Sequence, residues 1–254
     1  MNAVFLSDAH IRDHRDENLP PLLAFLDTLH GQIDRLFVVG DLFDTWFAFS
    51  KAVFDEYVPL LGALERLVRG GAKIVYVTGN HDFEMGLFFT QILCAEVHDS
   101  EMTLEADGRR VFVAHGDLAN TRDRAYRRLR WLLRNRFTRW LGRQLPPRWV
   151  WAVSQGLRAT CHGKHDAEAN GMREVFARYA AQKHDEGFDT VILAHLHAPA
   201  FETTEGPGGE RTYVNLGEWF DKRTFLRWSD GRLELKQWDW PEAVERPWQM
   251  PSPS

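Results

Sequence analysis

Five short apolar runs in this chain each lead straight into residues that bind hard metal ions. Ala3 to Leu6 precedes Asp8-Ala9-His10, and Leu36 to Val39 precedes Gly40-Asp41. Lys73 to Val77 precedes Gly79-Asn80-His81-Asp82, Arg110 to Ala114 precedes His115, and Thr190 to Leu193 precedes His195-Leu196-His197. Short apolar runs bounded by glycine or polar residues read as strands buried on both faces. Ligand types scattered this far apart in sequence meet only if the strand ends lie side by side. An α/β sheet with its site beyond the carboxyl ends of the strands does this.

The segments between the runs support that reading. Leu19 to Leu29 has helical spacing, and Ala52 to Val68 reads as a long amphipathic helix closed by Gly70-Gly71. Strand, helix, strand, helix, strand predicts parallel βαβ units. The order then changes. Met102 to Ala106 and Arg110 to Ala114 flank Asp107-Gly108, a hairpin signal. From Phe201 on, short strands alternate around Gly206-Pro207-Gly208-Gly209 and Asp230-Gly231. The expected fold is α/β: a two-sheet β-sandwich flanked by helices, one domain over 1–254. The tail 241–254, with four prolines, is expected to be poorly ordered.

One stretch departs from this pattern. From Arg122 to Arg158 there are eleven arginines and one acid, Asp123. Trp131, Leu132, Leu133, Phe137, Trp140, Leu141, Trp149, Val150, Trp151 and Val153 are interleaved with them. Pro146-Pro147 is expected to split the stretch into two helical pieces. It reads as an inserted helical lid, 122–165, ahead of a helix near Met172 to Lys183. A basic amphipathic element with tryptophan suits a membrane interface and the apolar walls an acylated substrate needs. The plainer alternative is a solvated basic face over an ordinary core. Basic plus aromatic also suits single-stranded nucleic acid, but a net charge of −5 gives no general case for it, and no nucleic acid is expected.

The ligand types decide the chemistry. Carboxylate, imidazole and amide oxygen together suit Mn²⁺, Fe²⁺ or Zn²⁺, with Mn²⁺ first. None of the five blocks contains cysteine, which argues against a structural zinc site. A bridging carboxylate with separate ligands on each side is what a two-metal hydrolase requires. Taken singly, each histidine has an ordinary structural reading; the ordered set does not. His14, His30, His98, His162, His165 and His184 lie outside the blocks and read mostly as surface residues. Cys94 and Cys161 lack CxxC spacing and read as plain thiols. Asp8 and His10 interrupt the first apolar run, so no secretory signal is expected, and the expected location is cytoplasmic.

The blocks resemble the calcineurin-like metallophosphoesterase family, whose pattern is DxH, GD, GNH(D/E), H and GHxH. The resemblance spans residues 4 to 217 and implies a four-layer αββα fold and two divalent ions. It implies that Asp8, His10 and His197 hold the first ion, that Asn80, His115 and His195 hold the second, and that Asp41 bridges. It makes His81 the residue that stabilises charge or protonates the leaving oxygen, with Asp82 orienting it. Ala194 departs from the family's usual glycine.

Within the family the chain most resembles the UDP-2,3-diacylglucosamine pyrophosphatases of lipid A synthesis. Ser7-Asp8-Ala9-His10, Gly40-Asp41-Leu42-Phe43-Asp44-Thr45-Trp46, and His115-Gly116-Asp117 followed by Thr121-Arg122-Asp123 and Tyr126 carry that resemblance, together with the lid. Those enzymes cut a diphosphate by water attack on the phosphorus next to uridine. The implied substrate is a lipid-linked sugar nucleotide, met at the cytoplasmic face of the inner membrane by peripheral contact. Asn80, His81, Asn120, Asp123, Tyr126, Lys164, His165 and His195 are the expected substrate contacts, with Arg127 at the lid entrance. His81 stands where that group has arginine, which keeps a second reading open: a general phosphodiesterase or phosphatase for a soluble substrate. A non-catalytic scaffold of the same fold is a third, opposed by the complete ligand set.

Overall fold

A computed structural model describes residues 1–48, 53–146, 149, 165–206 and 208–249, with 143 and 165–170 as backbone alone. The elements are β1 (Ala3–Leu6), α1 (Leu19–Leu29), β2 (Arg35–Val39), β3 (Trp46–Phe47), α2 (Val58–Arg69), β4 (Lys73–Val77), β5 (Asp82–Glu84), β6 (Glu96–His98), β7 (Glu101–Ala106) and β8 (Arg109–Ala114). They continue with α3 (Arg124–Arg134), α4 (Arg136–Gln144), α5 (His165–Asp185), β9 (Thr190–Leu193), β10 (Ala200–Gly206), β11 (Gly209–Asn215), β12 (Thr224–Ser229), β13 (Arg232–Asp239) and β14 (Val244–Pro247).

Two sheets carry the architecture. One has the order β14-β13-β12-β1-β2-β4-β6, the other β10-β11-β9-β8-β7, and β3 pairs with β5 in a small ribbon. β1, β2, β4 and β6 run parallel, as do β8, β9 and β11. Their apolar runs are continuous because both faces are covered. Successive side chains alternate between faces. Phe5, Phe37, Val75 and Trp228 of the first sheet meet Val113, Ile192 and Val214 of the second in the inner core. Val4, Leu6, Leu36, Val38 and Tyr76 point the other way, against Leu22 and Phe25 of α1 and Leu60 and Leu64 of α2. Phe112, Val191 and Leu193 pack on Phe176 and Ala180 of α5. The layers are therefore helix, sheet, sheet, helix.

Two expectations need correction, and one an addition. The second helix starts at Val58, not Ala52: Asp55–Tyr57 forms a 3₁₀ turn, and Pro59 takes a first-turn position where its missing N–H costs nothing. The lid has a further break at Asn135, and α4 ends at Gln144 just ahead of Pro146. Asn135 is extended, and its side-chain oxygen accepts from Thr138 N at 2.9 Å, so it ends α3 and caps α4. Pro146 follows the end of α4, while Pro147, Arg148 and 150–164 lie outside the described residues. The expected disorder from Pro241 does not hold through Pro247. β14 pairs antiparallel with β13, and its Glu245 bridges Arg227 and Lys236. Pro247 is tolerated because β14 is an edge strand. Residues 250–254 lie outside the described residues. Among the described residues no helix is long and apolar enough to cross a membrane.

Candidate metal centre

The carboxyl ends of β1, β2, β4, β8 and β9 bring the predicted ligands together. Asp8 Oδ1 lies 3.2 Å from His197 Nε2 and 3.8 Å from His10 Nε2. Asp41 Oδ2 lies 3.2 Å from His115 Nε2. His115 Nε2 is also 3.1 Å from Asn80 Oδ1 and 3.2 Å from His195 Nδ1. Two groups result, Asp8-His10-His197 and Asp41-His115-His195, each with its ligand atoms within 4.8 Å of one another. A third group of the same kind, His10-Asp44-His81, adjoins them.

The backbone is bent to achieve this. Asp8, His10, Asp41, His195 and His197 all have φ between 46° and 65°, the left-handed region. Non-glycine residues adopt it at a cost of ~1–3 kcal/mol each, and such residues cluster at functional sites. The bends are held by main-chain bonds: Asp8 N donates to Gly40 O at 3.1 Å and His10 N to Asp41 O at 3.0 Å. Glycine is required where the loops touch. A Cβ on Gly79 would sit 2.2 Å from Asp41 Oδ1, and one on Gly40 would sit 2.4 Å from His115 Nδ1. Ala194 is not among the left-handed residues, and its methyl packs in the inner core, so alanine suits the place where the family usually has glycine.

Burial and charge set the protonation of the group. Burial alone would raise Asp8, but the His197 hydrogen bond and neighbouring imidazoles outweigh it, and its pKa falls to about 2. Asp41 is likewise held well below the usual carboxylate range against its own burial, chiefly by His115 and His81. Burial pushes His10 down to about 3 and, with the charge of His115, His195 down to about 4. His115 resists its burial because Asp41 faces it, and rises to about 10. Its Nδ1 lies 3.0 Å from Val39 O, which fixes Nδ1 as the donor and turns Nε2 to the centre.

These residues fit a pair of divalent ions. The donor set is carboxylate, imidazole and amide oxygen, and His10 Nε2 is buried without any hydrogen-bond partner. A divalent ion would satisfy this buried imidazole nitrogen, which lies 3.8 Å from the Asp8 carboxylate.

His81 Nδ1 lies 2.5 Å from Asp44 O, and His81 N donates to Asp41 Oδ1 at 2.9 Å. Its ring stands 4.8 Å from that of His10. Asp82 does not orient it, contrary to the sequence reading. Asp82 Oδ2 accepts from Gly79 N at 2.9 Å and Asp41 N at 3.0 Å, and Oδ1 accepts from Tyr76 OH at 3.0 Å. His81 lies in the turn before β5, and Asp82, the first residue of that strand, turns its carboxylate to these amides.

The other expected substrate contacts have local tasks. Asn120 Oδ1 accepts from Arg122 N at 3.1 Å in a turn, and Asp123 Oδ1 caps α3 by accepting from Tyr126 N at 2.9 Å. Tyr126 OH donates to Asp117 Oδ2 at 2.6 Å. Lys164 lies outside the described residues, and His165 is described only as the first residue of α5. Phe220 was missed by sequence reasoning; its ring lies 5.3 Å from His197 and 6.2 Å from His10. Arg134, 8% exposed, was missed as well.

A profile of the calcineurin-like phosphoesterase family matches residues 1–199, the span that holds every one of these ligands. The chain belongs to the calcineurin-like phosphoesterase family. It is a metal-dependent phosphoester hydrolase with the family's α/β fold. Several curated members of the family align along most of its length. The UDP-2,3-diacylglucosamine hydrolase of Aeromonas salmonicida is 30% identical over 249 residues, covering 93% of this chain and 93% of the relative. The protein of that name from Ralstonia nicotianae is 30% identical over 246 residues, covering 90% of each. That of Pseudomonas paraeruginosa is 29% identical over 222 residues, covering 86% of this chain and 91% of the relative.

Proposed function

We propose that this phosphoesterase hydrolyses the diphosphate of UDP-2,3-diacylglucosamine, giving UMP and 2,3-diacylglucosamine 1-phosphate at the inner face of the cytoplasmic membrane. The relatives that bear that substrate's name support it. One structural observation carries it furthest. On α3 and α4, beside the site, Trp131 is 71%, Phe137 68% and Trp140 54% exposed, together with Leu132 and Leu141. An exposed apolar row of this size marks a surface meant for an apolar partner. A soluble nucleotide has no use for it, whereas acyl chains do.

In this reading Asp8, His10 and His197 hold one ion. Asn80, His115 and His195 would hold the other, with Asp41 as the shared carboxylate. Two bound ions, manganese in the first instance, supply Lewis acidity toward the phosphate and an activated water. The chain does the rest. Asp82 fixes the Gly79 and Asp41 amides, and so the loop from which Asn80 and His81 project. His81, anchored through Nδ1 on Asp44 O, offers its other ring nitrogen to the phosphate or the leaving oxygen. Asn80, His81 and His195 contact the substrate, and the lid receives the acyl chains.

His81 itself favours the second reading, a general phosphodiesterase, because that histidine is the generic family residue. Replacing Trp131 and Trp140 with serine separates the two. The lipid reading expects a raised KM for the acylated UDP-sugar and little change on bis(p-nitrophenyl) phosphate, which reaches the centre without the lid. Unchanged kinetics on both substrates favour the general phosphodiesterase.

A further inference from the structure

The lid helix does more than border the site. Arg134, the last residue of α3, buries its guanidinium between the loop of Asn80 and the strand end before it. It donates to Gly79 O, to Asp82 O at 2.8 Å, to Thr78 Oγ1 at 3.1 Å and to Asp99 Oδ1 at 2.5 Å. Gly79 and Asp82 bracket Asn80 and His81, so the arginine grips the loop from outside at both ends. Asp82 grips the same loop from inside. One helical turn earlier, Arg130 Nε donates to Asp117 Oδ2 at 2.7 Å and its Nη2 reaches Ser100 Oγ. Asp117 stands two residues beyond His115, and Tyr126 OH of the same helix shares its Oδ2 at 2.6 Å. Arg127 adds a bond to Leu118 O at 3.2 Å.

Apart from the bonds to Asp99 and Ser100 in the β6–β7 turn, these bonds run to the loops of Asn80 and His115, which belong to the same half of the centre. Asp8 and His10, in the other half, are held by main-chain bonds in which Asp8 N donates to Gly40 O, His10 N to Asp41 O and Trp219 N to Asp8 O. We propose that α3 is keyed to the second ion's half of the site, with Arg134 and Arg130 as positioning residues that set Asn80 and His115. The seating of the lid then governs how tightly the second ion is held. The proposal rests on the assignment of Asn80 and His115 as ligands, not on the lipid substrate.

The Arg134 guanidinium meets four acceptors at once, Gly79 O and Asp82 O through Nη2 and Thr78 Oγ1 and Asp99 Oδ1 through Nη1, whereas a lysine ammonium has three donors on a single nitrogen and cannot meet all four. The test is therefore a Mn²⁺ titration of the intact protein, by calorimetry and by electron paramagnetic resonance, for Arg134→Lys, Arg130→Lys and Asp99→Asn. Partners one step removed from a metal typically change its affinity ~10–100-fold, so Arg134→Lys and Arg130→Lys should each weaken the second ion by that factor and leave the first within about threefold. Excess Mn²⁺ should then restore turnover of bis(p-nitrophenyl) phosphate. Asp99 is largely exposed and touches neither carbonyl, so Asp99→Asn should leave both ions tight. A general folding defect would weaken both ions together and lower the melting temperature of the metal-free protein. That pattern, or two undisturbed ions in both arginine variants, overturns the proposal. If Arg134→Lys does not fold, Arg130→Lys alone decides by the same criterion. A wild-type protein that binds only one ion overturns the ligand assignment instead.

Discussion

His115 faces Asp41 with 3.2 Å between Nε2 and Oδ2, and neither side chain reaches solvent. Burial opposes a charge on His115, but the Asp41 carboxylate prevails and lifts its pKa to about 10. The metal-free ring is therefore protonated at pH 8, while a ligand imidazole must be neutral. His197 is also raised, through its hydrogen bond to Asp8, whereas His10 and His195 are already neutral. Ion uptake should release protons, and apparent affinity should climb as pH rises toward about 10. Calorimetry in two buffers of different ionisation enthalpy measures this. Identical heats in both would contradict it.

His81 is bonded to Asp44 O through Nδ1 and stands beside both ligand groups without being needed to complete either. His81→Ala should therefore keep two equivalents of metal by elemental analysis. A positioned acid or charge stabiliser is worth ~10²–10⁴ in rate, so turnover should fall by that factor. Turnover within a few-fold of the parent would remove His81 from the chemistry.

Gly79 tests the close approach of the loops. Its added methyl would meet Asp41 Oδ1 at 2.2 Å and the Asp41 backbone nitrogen at 2.9 Å. Gly79→Ala should cost about 1–3 kcal/mol, as overpacking does, and abolish tight metal binding. Gly108 makes the contrast: it lies in the β7–β8 turn at φ +77° with nothing within 4 Å of its Cβ position. Gly108→Ala should cost roughly 1–2 kcal/mol of backbone strain and leave metal binding alone. Equal metal affinity in the two variants would show that the Gly79 contact does not matter to the site.

Much of this was legible in the sequence. α1, β4 and β9 fall on the residues that periodicity assigned them, because apolar runs buried on both faces leave little choice. The ligand blocks were legible because each follows such a run. What escaped depended on contacts distant in sequence. Arg134 looks like any other arginine of a basic lid until its carbonyl partners come from a loop 52 to 55 residues away. Asp82 follows His81, which suggested that it orients the ring; its carboxylate is taken up by the Gly79 and Asp41 amides instead. β14 was hidden by the prolines of the tail; the one it contains, Pro247, is accepted on an edge strand. The lid break at Asn135 was hidden by a stronger-looking signal, Pro146-Pro147, because a capping side chain is a weaker local mark than two prolines.

The central claim, that this site cuts a lipid-linked sugar nucleotide by water attack next to uridine, is tested most directly by one assay. Purified protein with Mn²⁺ is incubated with UDP-2,3-diacylglucosamine in ¹⁸O-water, and the products are weighed by mass spectrometry. The account predicts UMP carrying one ¹⁸O together with unlabelled 2,3-diacylglucosamine 1-phosphate. Label in the lipid phosphate would contradict the point of attack. No turnover of this substrate by a preparation that still hydrolyses bis(p-nitrophenyl) phosphate would contradict the substrate.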